Sequence, residues 1–333
     1  MKATRQLHQL GQSLWLDNIT RTLLDDGTLA RYIAEDSITG LTSNPSIFDA
    51  AIGDGDAYDA GVHAKTLAGL SGEGLFIELA LEDLRRAADL FKPVFDATGQ
   101  VDGWVSMEVS PLLAADTAGS IAAARHIHHK AQRDNLFVKI PGTPEGVPAI
   151  EEAIFLGIPI NVTLLFSCAH YQAVAEAYMR GIERRLAAGL DPKVGSVASL
   201  FISRWDRAVH DLVPPDLRNQ LGIAVAGVTY ANYRELLDSD RWQRLAKQGA
   251  MPQRLLWASR PIGPIASCWP RHAGRSWLPP ARCRSACCGP APAPRTRTRL
   301  TRCISARSPH RTPSTRCRRR PCTPSPTTAS CTA

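Results

Sequence analysis

The sequence predicts an α/β protein built as a (β/α)8 barrel, which occupies residues 1–259. Three observations lead to this fold class. Short apolar runs alternate with amphipathic segments of helical length, reactive polar residues stand at the ends of the runs, and the composition changes abruptly after Ser259. Because 44% of the chain is hydrophobic, it supplies enough apolar side chains for a large core.

Seven runs have the length and composition of buried parallel strands, since each is short, apolar or rich in β-branched residues. They cover residues 13–16, 38–42, 103–109, 136–140, 158–166, 197–202 and 255–259. Apolar residues spaced three or four apart predict helices between them, at residues 75–91, 118–132, 147–156, 169–188 and 230–248. Strands that alternate with helices indicate a parallel sheet, either an open doubly wound sheet or a closed barrel.

Polar side chains at the ends of these runs favour the barrel. Almost every run ends in, or leads into, a reactive residue: Asp17, Asn44, Glu108, Lys139, Asn161 with Thr163, and Ser199 with Arg204. The carboxyl ends of barrel strands converge on one mouth, whereas an open sheet collects only two or three such residues at its switch point. The sequence contains no GxGxxG or GxxxxGK[ST] loop, which disfavours nucleotide-binding folds.

Lys139 is the one cation inside the run LFVKIPG, which is otherwise apolar. An apolar strand wall disfavours the charged form of a lysine and frees the amine to act as a nucleophile. The alternative interpretation is a lysine paired with a carboxylate for structural reasons. Because buried lysines are rare without a role, the sequence favours a catalytic one.

Three further polar residues each allow a structural and a functional interpretation when they are considered alone. Glu108, in WVSMEVSP at residues 104–111, is either a core ion-pair partner or a proton-transfer group. Asp17 follows the run LWL and is equally suited to cap the next helix. Asn44, in GLTSNPSIF at residues 40–48, is also typical of a turn before proline. Their shared position at successive strand ends favours a functional role.

Five of these segments resemble the strand motifs of transaldolases. They are GLTSNPSIF, WVSMEVSP, FVKIPGT at residues 137–143, INVTLLFS at residues 160–167 and SLFISR at residues 199–204. The motifs occur in the family's order and spacing over residues 1–259, and they are most similar to the bacterial branch related to actinobacterial enzymes. The resemblance implies a barrel of the class I aldolase type and a transferase of the pentose phosphate pathway.

The resemblance also implies catalytic roles for four residues. Lys139 corresponds to the lysine that forms a Schiff base with the C2 carbonyl of a ketose. Asp17 corresponds to the acid/base that takes the C4 hydroxyl proton when the C3–C4 bond breaks, and such proton transfer typically contributes about 10²–10⁴-fold. Glu108 and Thr163 correspond to the pair that positions the water handling the carbinolamine protons.

Four further residues correspond to substrate ligands. Asn44 and Asn161 match the amides that hold the dihydroxyacetone hydroxyls, because an amide offers both a donor and an acceptor. Ser199 and Arg204 match the phosphate ligands, and arginine presents a fork of donors to phosphate. The family pattern requires no metal and no organic cofactor, and sugar phosphates are the expected partners.

The reaction implied by the resemblance is transfer of a dihydroxyacetone unit from sedoheptulose 7-phosphate to glyceraldehyde 3-phosphate. The products are erythrose 4-phosphate and fructose 6-phosphate. One alternative is a lyase similar to fructose 6-phosphate aldolase, but that relative lacks a carboxylate at the position of Glu108. Another is an inactive, truncated barrel, because the resemblance stops at residue 259.

Residues 260–333 differ sharply in composition from the rest of the chain. Residues 1–259 hold all 31 acidic side chains and 24 of the 39 Lys and Arg, for a net charge of −7. Residues 260–333 hold 15 Arg and no acidic residue, for a net charge of +15, with eight of the nine Cys and 13 of the 24 Pro. This composition is typical of a GC-rich coding sequence read out of frame. We therefore expect a disordered tail and a barrel without a proper eighth strand.

Two other functions of residues 260–333 stay open as weaker interpretations. One is an arginine-rich arm that binds nucleic acid. The other is a zinc module, although Cys283, Cys287 and Cys288 lack CxxC or histidine spacing. We expect neither a nucleic-acid partner nor a membrane, since no run of about 18 apolar residues occurs in the sequence. The first residues do not resemble a signal peptide, so the expected compartment is the cytoplasm. The oligomeric state stays undetermined.

Overall fold

A computed structural model describes residues 2–53, 55–259 and 284–287 of the chain. All of these residues lie within one compact unit, Met1–Thr296. The strands in the described ranges are β1 (Ser13–Asp17), β2 (Ile38–Thr42), β3 (Val105–Glu108), β4 (Leu136–Pro141), β5 (Ile160–Leu165), β6 (Ser196–Phe201), β7 (Arg254–Ser259) and β8 (Arg284–Cys287).

The eight strands form one parallel sheet in the order β2-β1-β8-β7-β6-β5-β4-β3. The strands at the two ends of this order, β2 and β3, meet at a parallel bridge between Gly40 and Trp104. The Gly103 N–H donates to the Thr39 carbonyl at 2.7 Å, and the Leu41 N–H donates to the Trp104 carbonyl at 2.9 Å. The sheet thus has the strand order of a (β/α)8 barrel with one weakly joined seam, and the predicted fold class is confirmed.

Helices follow most strands and cover the outside of the sheet. In the described part of the chain they are α1 (Ala3–Gln9), α2 (Arg21–Asp25), α3 (Thr28–Asp36), α4 (Pro45–Gly53), α5 (Asp59–Leu67), α6 (Gly72–Ala97), α7 (Thr117–Ala131), α8 (Gly146–Phe155), α9 (Cys168–Ala187), α10 (Ser203–Val209), α11 (Leu221–Asp238) and α12 (Asp240–Lys247). Side-chain caps begin several of them: Asp116 Oδ1 accepts the Gly119 N–H at 2.9 Å before α7. None of these helices combines the length and the apolar character needed to span a lipid bilayer.

The seven strands predicted from the sequence are all present, with small shifts at their ends. One helix prediction is wrong, because residues 230–248 do not form a continuous helix. They divide between α11 and α12 at Ser239, whose backbone is extended, with φ −69° and ψ 145°. The Ser239 hydroxyl accepts the Trp242 N–H at 3.2 Å, and this N-cap starts a new helix that the apolar periodicity does not reveal.

The prediction that the barrel lacks a proper eighth strand is also wrong, since β8 lies between β7 and β1. Arg284 pairs with Leu256 on one side, and Ser285 pairs with Leu14 on the other. The flanking strands present backbone donors and acceptors that an extended segment of almost any composition can satisfy. Tertiary context therefore overrides the weak strand propensity of RSAC. The prediction of a disordered tail falls on residues 260–283 and 288–333, outside the described residues.

Apolar side chains fill the barrel on the amino-terminal side of Lys139. Trp15 and Phe137 stack with their ring centroids 6.2 Å apart, and Trp104 and Phe137 stack at 3.9 Å. Val197 and Leu256 complete this cluster, and each of the five residues is at most 3% exposed. We call Trp15, Trp104, Phe137, Val197 and Leu256 the floor layer, because they close the barrel beneath its polar residues.

Candidate active site

Lys139 lies in β4, and its side chain is buried inside the barrel. The side chain is 8% exposed, and its strand neighbours Val138 and Ile140 are fully buried. Lys139 Nζ lies 3.0 Å from Glu108 Oε2 and donates to the Ser43 carbonyl at 3.2 Å. Two acceptors therefore hold a desolvated amine in a fixed place.

Glu108 ends β3 and is the register partner of Lys139. Its carboxylate is 16% exposed, so it contacts the buried amine while it stays partly accessible to solvent. A general base must lie within about 2.6–3.2 Å of the group whose proton it takes, and Glu108 satisfies this distance. Glu108 therefore forms an ion pair with Lys139, and the same contact has the geometry for proton transfer, so its catalytic role stays a prediction.

Asn161 lies beside Lys139 on β5 and pairs with it in register. Its Nδ2 donates to Ser106 Oγ at 3.1 Å, and its Oδ1 accepts the Ser199 hydroxyl at 2.6 Å. Thr163 follows two residues later on the same strand and is also buried. The amide of Asn161 therefore has a fixed orientation next to the amine.

Asp17 and Asn44 both lie at the carboxyl ends of strands, since Asp17 ends β1 and Asn44 follows β2 by two residues. The Thr20 hydroxyl accepts the Leu23 N–H at 3.1 Å and caps α2, so the interpretation of Asp17 as the N-cap is wrong. Asn44 Oδ1 accepts the Ile47 N–H at 3.1 Å, which makes Asn44 the N-cap of α4. This contact uses the amide oxygen to start α4.

The two predicted phosphate ligands lie in different surroundings. Ser199 is buried in β6 and bonds to Asn161, at the depth of the amide. Arg204 is exposed in the first turn of α10, where its guanidinium lies 4.3 Å above the ring centroid of Phe201. Phe201 in turn stacks on Phe166 at 5.4 Å. Arg204 is thus placed at the rim of the mouth, and Ser199 is placed inside it.

Two serines that sequence reasoning missed connect these residues. The Ser43 carbonyl accepts from Lys139, and the Ser43 hydroxyl donates to the Ser106 carbonyl at 2.7 Å. The Ser106 hydroxyl accepts from Asn161, and both serines are almost fully buried. A signal was present, because Ser106 precedes Glu108 by two residues and therefore shares its face of β3. Serine is too common in strands and turns for this spacing to stand out alone.

Other titratable groups lie away from this site. His126, His128 and His129 are on α7, where burial lowers the pKa of the His128 imidazole below its ordinary value. Cys168 begins α9, and partial burial raises the pKa of its thiol, which makes the thiolate rarer. Within residues 2–53, 55–259 and 284–287, no three His, Cys, Asp or Glu side chains converge as metal ligands.

The arrangement combines a buried amine, an adjacent carboxylate and oriented amide groups at the carboxyl ends of parallel barrel strands. In a (β/α)8 fold this end carries the active site, and a desolvated lysine there is suited to form a covalent bond with a carbonyl carbon. This fold and this site are typical of barrel enzymes that act on carbonyl compounds, and a covalent role of Lys139 is the prediction they favour.

Comparison with known proteins agrees with this class. A family model described as Transaldolase/Fructose-6-phosphate aldolase matches residues 14–260. A transaldolase of Arthrobacter sp. strain FB24 is 45% identical over 264 residues, covering 77% of this chain and 71% of the relative. A transaldolase of Thiobacillus denitrificans is 46% identical over 272 residues, covering 78% and 74%. Transaldolase 2 of Nostoc punctiforme is 41% identical over 271 residues, covering 76% and 71%.

This chain belongs to the transaldolase/fructose-6-phosphate aldolase family. The resemblance that the five strand motifs indicate is therefore confirmed, and so is the prediction of an enzyme of the transaldolase type, a transferase of aldehyde or ketone groups. The individual roles of the site residues remain predictions.

Proposed function

We propose that this chain is a transaldolase that moves a dihydroxyacetone unit from sedoheptulose 7-phosphate to glyceraldehyde 3-phosphate through a Schiff base on Lys139. The observation that carries the proposal is the 3.0 Å contact between Lys139 Nζ and Glu108 Oε2 inside the barrel. The names of the curated relatives support the reaction class. Phosphorylated sugars are charged and are retained where they are made, so the proposed compartment is the cytoplasm.

The first step joins the amine of Lys139 to the substrate. The nitrogen lone pair attacks the C2 carbonyl carbon of the ketose, and the carbinolamine that forms then loses its hydroxyl group as water. Starting from the ion pair, two protons leave the nitrogen, one before the attack and one before the loss of water. Glu108 takes each in turn and passes it to the former carbonyl oxygen, with Thr163 holding the water that relays them. The iminium that results is an electron sink for the next step.

The second step breaks the C3–C4 bond. Asp17 takes the proton of the C4 hydroxyl, the C4 carbonyl forms, and the electrons of the C3–C4 bond move onto the iminium to give an enamine on Lys139. The aldose phosphate then leaves. Transfer is the reverse sequence with a new aldehyde, whose oxygen receives the proton from Asp17. Asn44 and Asn161 hold the hydroxyls of the bound three-carbon unit.

The phosphate end of the substrate is assigned to Arg204 and Ser199. Arg204 is the stronger candidate of the two, because it is exposed at the rim of the mouth. A phosphate on C6 or C7 of the sugar, far from the reacting C2, would lie there. Ser199 bonds to Asn161 and is buried, so it also supports the amide that holds the three-carbon unit.

A lyase similar to fructose 6-phosphate aldolase is the alternative within the same family. The presence of Glu108 favours transfer. The two reactions differ in the fate of the enamine, which water protonates in the lyase and an aldehyde captures in the transferase. Incubation with fructose 6-phosphate alone, followed by addition of erythrose 4-phosphate, separates them. Release of free dihydroxyacetone as fast as transfer would favour the lyase.

We propose that residues 1–259 are the family-like part of the barrel, and that residues 260–333, which include β8, are read out of frame. The matched segment, which ends at residue 260, and the change of composition at the same place support it. Sequencing the coding DNA around codon 259 tests it directly, since an insertion or deletion there would restore a family-like carboxyl terminus. Expression of both forms side by side gives the functional test. Equal specific activity and equal cooperative melting would show that residues 260–333 are a genuine part of the enzyme.

Borohydride trapping tests the Schiff base. Reduction in the presence of fructose 6-phosphate should add a dihydroxyacetone unit to Lys139, which peptide mass spectrometry can locate. Lys139→Arg should abolish labelling, whereas the control Lys193→Arg, at an exposed lysine, should leave it unchanged. Labelling that persists in Lys139→Arg would overturn the assignment. The same experiment on the frame-restored form shows whether a failure to label Lys139 means that the assignment is wrong or that residues 260–333 inactivate the enzyme.

A further inference from the structure

A buried cluster outside the barrel mouth links the first helix after β1 to the long helix α6. Arg21 Nε donates to Asp83 Oδ1 at 3.0 Å, and the Tyr58 hydroxyl donates to Asp83 Oδ2 at 2.7 Å. The Arg21 backbone N–H donates to the Tyr58 hydroxyl at 3.0 Å, and the Arg21 guanidinium lies 4.6 Å from the centroid of the Tyr58 ring. We call Arg21, Tyr58 and Asp83 the Arg21 clamp.

The Arg21 clamp is largely shielded from solvent, and its charged groups have ion-pair partners. Asp83 is fully buried and the Arg21 side chain is 15% exposed. Glu82 binds the outer nitrogen of Arg21 at 3.0 Å and also pairs with Lys65 at 2.5 Å. A charge-assisted pair that is buried and fully bonded fixes geometry more firmly than an exposed pair does. Arg21 therefore holds one orientation relative to α5 and α6.

The clamp begins four residues after the predicted acid/base. Asp17 ends β1, and Arg21 is the first residue of α2. Between them Ile19 is fully buried, and the Thr20 hydroxyl caps α2. The segment from Asp17 to Arg21 is thus anchored by the sheet at one end and by the clamp at the other, with only three residues between them.

We propose that Arg21 is a positioning residue, which holds the β1–α2 connection through the Arg21 clamp so that the Asp17 carboxylate reaches the C4 hydroxyl. The assignment rests on the proposed function, because it uses Asp17 as the group that accepts the C4 proton. Displacement of a reacting group by about 1 Å costs up to about 100-fold in rate, so loss of the clamp should slow bond cleavage. Imine formation on Lys139 takes place on β4 and should be unaffected.

The test compares two arginines that both join α2 to α6. Arg86 pairs with Asp25 at 2.5 Å, but both side chains are about half exposed, so Arg86→Met is the matched control. Arg21→Met should lower the single-turnover rate of glyceraldehyde 3-phosphate release from fructose 6-phosphate by roughly 10- to 100-fold. The rate at which all borohydride-trapped adduct forms on Lys139, counting the intact ketose and the dihydroxyacetone unit together, should change less than about twofold. Arg21→Lys, which keeps the charge and one contact to Asp83, should recover part of the cleavage rate.

Arg21→Met leaves Asp83 without its cation, so its folding needs a check. Burial raises the pKa of Asp83 above its ordinary value, against the opposing effects of the Tyr58 hydrogen bond and the Arg21 charge. The carboxyl of Asp83 can therefore take up a proton and remain buried in the variant. Tyr58→Phe is the second variant, because it removes one hydroxyl and keeps the Arg21–Asp83 pair.

Hydrogen exchange of the segment from Asp17 to Asp25 provides a readout that does not need activity. Exchange should rise in Arg21→Met and in Tyr58→Phe but not in Arg86→Met. Equal slowing of trapping and cleavage in Arg21→Met, or unchanged exchange in the segment, would overturn the positioning role. If neither this chain nor its frame-restored form gives an adduct on Lys139, the proposed function fails, and the exchange comparison still decides whether the clamp holds this segment.

Discussion

The floor layer and the polar residues above it are built by the same strands, yet they have opposite chemistry. Three strands contribute one residue to each level: Trp15 and Asp17 from β1, Phe137 and Lys139 from β4, Val197 and Ser199 from β6. Residues two positions apart share a face of a strand and lie about 6.5 Å from each other. On each of these strands, a shift of two residues therefore leads from a packed apolar side chain to a polar side chain of the site.

The difference between the two levels shows how a barrel can carry a desolvated amine. The floor layer is packed by stacked rings and excludes water beneath Lys139. The level above is held by hydrogen bonds among Ser43, Ser106 and Asn161. Substitutions in the floor layer should therefore reduce stability, and substitutions above it should reduce activity. Four substitutions test that division.

Lys139→Met should produce the largest effect, and the effect should fall on the transfer rate and not on stability. Without the amine no imine forms, so the transfer rate should fall by at least about 10⁴-fold. Methionine has a similar length, and Glu108, which loses its cation, is 16% exposed and can be hydrated, so the variant should unfold at a denaturant concentration close to that of the unmodified chain. Coupled-enzyme assays and urea unfolding measure the two quantities. A loss of stability as large as that of a floor-layer variant would contradict the division.

Phe137→Ala should be the most destabilising change in the floor layer. The ring stacks against both Trp15 and Trp104, and its removal leaves a cavity that rigid neighbours cannot fill. The expected loss is about 3–5 kcal/mol of unfolding free energy. Urea unfolding measures it, with the exposed Leu67→Ala as a control that should stay within about 0.5 kcal/mol. A near-neutral Phe137→Ala would mean that the floor layer is not a packed core.

Gly40→Ala should also act on stability, through overpacking. A Cβ atom at Gly40 would lie 2.5 Å from the Trp15 indole, which is fully buried and has no room to move. The expected cost is about 1–3 kcal/mol. Gly74→Ala is the matched control, because a Cβ atom there meets nothing within 4 Å in α6. If the two variants have the same free energy of unfolding, the tight contact with Trp15 does not affect stability.

Ser106→Ala should have the smallest effect of the four, and it should fall mainly on activity. It removes the acceptor of Asn161 Nδ2, so the amide loses one of the bonds that fix its orientation. We expect kcat/KM to fall by about tenfold, in line with one lost hydrogen bond of about 1–2 kcal/mol. Ser196→Ala is the control, since Ser196 is equally buried and bonds to Ile160 and Gln253 instead. Equal losses of activity in both variants would assign Ser106 a merely structural role.

The strands, their alternation with helices and the polar residues at the strand ends could all be predicted from the sequence. Apolar runs of four to nine residues are local signals, and a lysine such as Lys139 inside one of them is visible without a structure. The position of Glu108 at the end of its run likewise predicted a place at the barrel mouth, because carboxyl ends of parallel strands converge.

The contacts between distant segments depend on the tertiary structure and have no local signal in the sequence. Arg21 meets Tyr58 and Asp83 across 37 and 62 residues, and no local pattern encodes such a pair. The same holds for the break at Ser239, which depends on a side-chain cap, and for β8, whose four residues have weak strand propensity. Periodicity reports which face of an element is buried, whereas backbone pairing and buried hydrogen bonds depend on the partner that folding brings into reach.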